Sequence, residues 1–154
     1  MMTRVLAAAL GTVAFALLFS VPKKYYPGCG VVGGLSWLIY LLAQSALGCT
    51  ETEAIFFAAV VVIFLSRLFA VGEGCPVTVF LITGIFPLVP GAGVYWTAYY
   101  LVTGQLDLAR GSGFSAVKAA FAIVLGIVIV FELPGGLFRA LARPWKRLRG
   151  KERS

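Results

Sequence analysis

Hydrophobic stretches alternate with short polar segments along almost the whole chain. The stretches cover residues 5–21, 28–47, 54–71, 77–103 and 114–133. A helix of about 20 apolar residues is long enough to cross the roughly 30 Å hydrocarbon core of a bilayer. The pattern therefore predicts an all-α, polytopic membrane protein with about five transmembrane helices.

The fourth stretch is interrupted in its middle by Pro87, Pro90, Gly91 and Gly93. A proline lacks the amide hydrogen that an α-helix needs, and its ring clashes with the carbonyl one turn earlier. Each half of the stretch, residues 77–89 or 91–103, would give a helix of about 20 Å, too short to span the membrane alone. We expect two half-helices joined by an unwound corner at Pro87 to Gly91.

Such a corner is a candidate substrate site, because irregular backbone at membrane depth persists only where protein or a watery cavity covers it. The second half-helix begins with small residues, Gly91, Ala92 and Gly93, whose amides and helix dipole would attract a carboxylate. Tyr95 follows within about one turn, and free carbonyls before the corner would suit an ammonium group. The alternative is a kink that only fits neighbouring helices, but two prolines and two glycines exceed what one kink needs.

Arg67 is the remaining candidate for substrate binding. It lies four residues before the end of the third stretch, about 6 Å of helix rise from the membrane face. It would neutralise the second charge of a dicarboxylate. An equally good interpretation is an anchor whose guanidinium reaches up to the head groups.

The composition excludes most enzyme classes. Hydrophobic residues make up 60% of the chain and charged residues 12%, and histidine is absent. The acidic residues lack the close pairing that acid–base catalysis requires, and the three cysteines lack metal-binding spacing. We therefore expect no catalytic residues, no metal and no cofactor.

The net charge of +7 is concentrated at one end, since seven of the 13 basic residues lie between Arg139 and Arg153. A basic tail directly after a hydrophobic helix is typical of a cytoplasmic segment that contacts anionic lipids, and no module for reading nucleic acid accompanies it. We divide the chain into a membrane domain, residues 1–136, and a basic amphipathic tail, residues 137–154. Pro144 is expected to kink the tail.

Charge bias then fixes the predicted orientation. With the C-terminus in the cytoplasm and five crossings, Lys23 and Lys24 lie inside, whereas the acidic segment 48–53, with Cys49, lies outside. A re-entrant fourth segment would reverse this favourable arrangement. The N-terminus is placed outside, against the charge of Arg4. Residues 104–113 are expected to form an external loop.

Small residues predict where helices approach closely. Gly30 and Gly34 form a Gly-x-x-x-Gly pair in the second stretch, and Ala7 and Gly11 offer a similar face in the first. The alternative for the glycine pair is a conduit lined by glycine, but such pairs are common helix contacts in membrane proteins, which favours packing.

The interrupted stretch also carries a family resemblance. Phe86-Pro-Leu-Val-Pro-Gly91 followed by Tyr95, the segment Phe19-Ser-Val-Pro-Lys-Lys24, and Arg67 followed by Pro76 resemble the membrane domain of the threonine/serine exporter family. Within that family the chain is similar to the small subunit of the split, two-gene form, such as that of bacterial succinate exporters. The resemblance covers roughly residues 5–133.

The resemblance implies solute export across the bacterial cytoplasmic membrane, driven by an ion gradient and carried out with a larger membrane subunit. Glu132, at the end of the last stretch, is the one candidate for proton coupling within a span. Any further residues that couple transport to the ion gradient are expected in the larger partner subunit. Two alternatives are a homo-oligomeric channel lined by the broken helices and a membrane adaptor that does not transport.

Overall fold

The computed structural model describes residues 1–142, and the regular secondary structure of that part is entirely helical. Six helices follow one another along the chain: α1 Met2–Leu18, α2 Tyr26–Ala46, α3 Glu51–Glu73, α4 Thr78–Ile85, α5 Gly91–Val102 and α6 Leu106–Phe131. A seventh segment, here called the tail helix, is helical from residue 135 to residue 142. The all-α prediction is confirmed. The rest of the predicted tail, with the expected kink at Pro144, lies outside the described residues.

Three helical segments in the described part are long and apolar enough to cross a membrane, namely Lys23–Ala46, Glu51–Glu73 and Leu106–Phe131. Helices α4 and α5 together form a fourth candidate that is bent by 51° at a short break. Helix α1 is apolar but has 17 residues, at the short end of the range for a span. The structure thus supports a multi-pass membrane protein with a broken fourth segment, and a total of five crossings stays a prediction.

The ends of α3 follow from its capping residues. The Thr50 side chain accepts a hydrogen bond from the Glu53 amide, and the Glu53 carboxylate accepts one from the Thr50 amide at 2.8 Å, which completes a capping box. At the other end Gly74 adopts a left-handed conformation with φ of 67° and stops the helix.

The predicted external loop at residues 104–113 is wrong. Only a tight turn separates α5 from α6, with Gly104 at φ of 73°, and α6 begins at Leu106. Asp107 lies in the first turn of α6, where a negative charge complements the helix dipole. Gly113 lies against α5, because an added Cβ there would be 3.2 Å from the Thr97 methyl group. Gly113 therefore allows α5 and α6 to pack closely and does not mark a loop.

The bundle is built in sequence order around α2 and α3. Helix α1 packs on α2, α2 on α3, and α3 on α6, while α4 lies against α1, α2 and α3 and α5 packs on α6. The largest fully buried side chain, Phe80 of α4, contacts the rings of Tyr25 and Phe69. The tail helix joins the bundle through Phe138, which lies beyond the predicted domain boundary and is buried against Ile63 and Val130.

Glycines of α2 form the contact with α1. A Cβ at Gly30 would be 3.2 Å from Val13, and one at Gly34 would be 3.3 Å from Ala9, so the predicted Gly30–Gly34 contact is confirmed. Between them, a Cβ at Gly33 would overlap the side chain of Thr12, which is fully buried. Gly11 has open space around it, and the predicted Ala7–Gly11 face is not part of this contact.

We expect Gly33→Ala to destabilise the protein by about 1–3 kcal/mol, because the added methyl group overpacks the seam at Thr12. Thermal unfolding of the detergent-solubilised protein measures the effect. The Thr12→Ala change removes Oγ1 and Cγ2 but leaves the Cβ atom, which would still be 2.6 Å from the added methyl group, so the double variant is expected to recover part of the lost stability. A Gly33→Ala protein as stable as the native one would contradict this packing.

The predicted orientation can be tested at Cys49, which is half-buried just before α3. In a variant carrying Cys29→Ala and Cys75→Ala, a membrane-impermeant maleimide is expected to label Cys49 in intact cells. Burial raises the pKa of the Cys75 thiol, so a variant that retains only this cysteine should react slowly even after lysis. Labelling of Cys49 only after permeabilisation would reverse the proposed topology.

Candidate functional site

The break between α4 and α5 has a defined backbone geometry. Helix α4 continues into a 3-10 turn at Phe86–Leu88, after which Val89 is extended, with φ of −62° and ψ of 127°. Pro90 has φ of −75° and ψ of 53°, and the Gly91 amide donates a 2.7 Å hydrogen bond to the Val89 carbonyl. These values describe an inverse γ-turn centred on Pro90. The predicted unwound corner at Pro87 to Gly91 is therefore present.

Two backbone donors remain at the start of α5. The Val94 amide closes the first helical hydrogen bond to the Pro90 carbonyl at 3.1 Å, and the Gly91 amide is used by the γ-turn. Pro90 gives no side-chain cap, so the amides of Ala92 and Gly93 are the orphan donors of this helix end. Together with the helix dipole they favour an anionic group here.

The two glycines of this helix end differ in their surroundings. An added Cβ at Gly91 would meet nothing within 4 Å, whereas one at Gly93 would be 3.1 Å from the Cβ of Ala116 in α6. The Thr97 hydroxyl also donates a 2.6 Å hydrogen bond to the Gly93 carbonyl. Gly93 is thus needed for packing, and Gly91 leaves open space beside the break.

A cleft of about 340 Å³ lies next to the break. Five residues line it: Pro87 from the break, Arg4, Ala7 and Ala8 from α1, and Trp37 from α2. The adjoining Phe86 stacks on Phe15 of α1, with ring centroids 3.5 Å apart, and so ties the break to the bundle. Open space therefore accompanies the exposed backbone.

Tyr95 does not line this cleft. Its side chain is 61% exposed, and its ring packs edge-on against Trp96 at 5.3 Å. It belongs to an aromatic group on α5, in which Trp96 also contacts Tyr99 and Tyr100. This grouping is typical of an interfacial aromatic belt.

Arg67 lies far from the break. Its Nη1 donates hydrogen bonds to the carbonyls of Val130, Phe131 and Leu133, the latter two at 3.3 and 3.1 Å. Gly93 at the break packs on Ala116, 14 residues before Val130 along α6, which corresponds to about 20 Å. The structure does not bring Arg67 and the break together.

The guanidinium of Arg67 instead closes the C-terminal end of α6. It lies 4.2 Å from the ring centroid of Phe138 in the tail helix and 5.5 Å from that of Phe131. A cation at this end stabilises unpaired carbonyls and the negative pole of the helix dipole.

Glu132 lies at the same end as Arg67. It is the C-cap residue of α6, and its side chain is exposed. The coupling candidate is therefore also separated from the break, and its role in coupling stays a prediction.

Sequence reasoning did not connect Arg4, Ala7, Ala8 and Trp37 with the break. These residues precede it by some 50 residues or more in the chain, and their relation to Pro87 depends on how α1 and α2 pack. One signal was available at Arg4, a cation directly before the first hydrophobic stretch. In the structure Arg4 lies in the first turn of α1, where the helix dipole favours a negative charge.

The geometry described so far is that of a multi-pass membrane protein with a discontinuous helix beside a cleft, an arrangement typical of secondary transporters. The sequence model of the family described as "Threonine/Serine exporter, ThrE" matches residues 4–132. The chain belongs to this threonine/serine exporter family, as its resemblance predicted. No solved structure matches the chain.

We expect Arg67→Ala to lower the thermal stability of the protein by about 1.5–3 kcal/mol, because the end carbonyls of α6 lose a charged donor. Arg67→Lys should recover only part of the loss, since a single ammonium cannot copy the flat guanidinium over Phe138. Unfolding of the detergent-solubilised variants provides the measurement. Native stability with impaired transport would point to a substrate role and against the capping role.

Proposed function

We propose that this chain is one subunit of a solute exporter whose substrate site is the break between α4 and α5. Membership of the threonine/serine exporter family establishes a membrane protein of exporter type. The finer proposal is that it moves small amino acids, such as threonine and serine, or dicarboxylates such as succinate, out of a bacterial cell. We place it in the inner membrane, with its C-terminus in the cytoplasm.

The observation that carries the proposal is the open space beside exposed backbone at the break of an apolar helical segment. The amides of Ala92 and Gly93 offer two donors to a carboxylate, and Gly91 leaves room for the approach. On the α4 side, the Phe86 carbonyl accepts one hydrogen bond, from the Val89 amide at 3.2 Å, and carries a second lone pair for an ammonium group. A zwitterionic amino acid matches both ends of the break.

The size of the cleft supports a small solute. A volume of about 340 Å³ lies at the lower end of the range for pockets that hold small molecules. A small amino acid or a four-carbon dicarboxylate is of suitable size.

The exposure of α5 supports a partner subunit. No residue of α5 is buried, and the helix packs mainly on α6. Ala92, which carries one of the orphan amides, is exposed. Unpaired backbone facing lipid costs several kcal/mol per group, so we infer that another protein surface covers this region in the working assembly. The family resemblance suggests a larger membrane subunit, which would also supply coupling residues beyond Glu132.

The same exposed helix gives some support to the alternative of a homo-oligomer, with a channel between broken helices. Reconstituted vesicles separate the two functions. Solute flux from vesicles that contain this chain alone, with no ion gradient, would favour the channel. Flux that requires both a partner subunit and a gradient would favour the exporter.

We expect Gly91→Leu to abolish export of serine, threonine or succinate from cells that express the full transporter. An added Cβ at Gly91 meets nothing within 4 Å, and the rest of a leucine side chain would occupy the space beside the break. Efflux of labelled solute is the readout, and immunoblotting of membranes shows whether the variant is inserted. Gly111→Leu is the matched control, because Gly111 in α6 also has open surroundings. Full export by Gly91→Leu would contradict the proposed site.

A further inference from the structure

We propose that Arg4 binds the carboxylate of the transported solute at the cleft beside the break, with Trp37 as the wall against which the solute lies. This inference rests on the proposed function of the break as the substrate site. The inference identifies Arg4 as the cation of that site, whereas the sequence alone had suggested Arg67. It also restricts the substrates to solutes that carry a carboxylate.

The position of Arg4 is not explained by helix stability. It lies in the first turn of α1, where the positive pole of the helix dipole repels a cation. A charge that opposes this local preference is a candidate for function.

The two arginines that the substrate could use differ in how far their donors are engaged. Arg67 donates to carbonyls of α6 and stacks over Phe138. Arg4 is exposed and, among residues 1–142, makes no hydrogen bond or ion pair. Its five N–H donors are therefore available for a carboxylate, which a guanidinium can bind through two parallel hydrogen bonds.

The cleft also holds Trp37 in a fixed orientation. The indole stacks on Tyr40, with ring centroids 4.8 Å apart, and the Tyr40 hydroxyl accepts a 3.0 Å hydrogen bond from the Gln44 amide. A rigid indole face next to a guanidinium suits a small solute, because the ring forms one wall of the cleft while Arg4 adds a charged donor for the carboxylate to the two amides of the break. The ammonium group of an amino acid is then left for the Phe86 carbonyl.

Small residues keep this arrangement open. Ala7 and Ala8 lie one turn from Arg4 on α1 and also line the cleft, and their short side chains leave space in it. Pro87 contributes no amide hydrogen to the cleft. Arg4 is thus the charged residue among those that line the cleft. Its positive charge favours binding of the carboxylate end of a solute.

The first test measures export kinetics in cells that express the full transporter. Arg4→Gln is expected to raise the half-saturating concentration of the exported solute, serine or succinate, by about tenfold or more, because a charge-assisted hydrogen bond is lost. The maximal rate should fall much less. Arg4→Lys should recover part of the affinity. Arg110→Gln removes an exposed arginine of α6 outside the cleft and should leave the kinetics unchanged.

The second test detects binding without transport. Trp96→Phe and Trp145→Phe leave Trp37 as the one tryptophan of the chain. Titration of the purified protein with L-serine or succinate is expected to change its fluorescence saturably, and Arg4→Gln should abolish the change. Which of the two solutes gives the response distinguishes amino acids from dicarboxylates. No saturable change with either solute, or an unaltered change in Arg4→Gln, would overturn the proposal.

The two proposals fail in different ways. Native kinetics in Arg4→Gln together with lost export in Gly91→Leu would overturn only the role of Arg4. Normal export in Gly91→Leu would remove the break itself as the site. An equal loss in Arg4→Gln and Arg110→Gln would show a general effect of surface charge and would also overturn the role of Arg4.

Discussion

The need to satisfy backbone hydrogen bonds inside an apolar medium is the constraint on which this structure depends. An uninterrupted helix satisfies its own amides and carbonyls, and α2, α3 and α6 do so over 21 to 26 residues. The segment 86–91 cannot, because two of its residues are prolines. A 3-10 turn and a γ-turn restore some of the missing backbone hydrogen bonds. The amides at the start of α5 that stay unpaired can donate hydrogen bonds to a bound solute.

Close contact between small residues holds the other helices of the bundle together around this break. Glycines of α2 lie against α1, and Gly126 of α6 lies so near α3 that an added Cβ would be 3.0 Å from Ala59. Van der Waals packing of this kind drives helix association in membranes, where the hydrophobic effect between helices is absent. The same use of small residues, at Ala7 and Ala8, leaves a cleft where α1 passes the break.

Arg4 and Arg67 carry the same guanidinium group, but their different surroundings give them different roles. Arg67 is surrounded by carbonyls and aromatic rings at the end of α6, and it joins the tail helix to the bundle. Arg4 has no such partners among the described residues and borders the cleft. A guanidinium enclosed by its own protein stabilises the fold, whereas one that faces open space can bind a solute.

The sequence by itself determined the helical class, the broken fourth segment and the family, because hydropathy, proline chemistry and a short motif are local properties of the chain. It also identified the Gly30–Gly34 contact. It did not determine that residues 106–113 are helical, since their glycines are explained only by packing on α5. The tertiary structure alone decided that Arg67 lies some 20 Å from the break and that Arg4 and Trp37 lie beside it, because side chains distant in sequence meet only through helix packing.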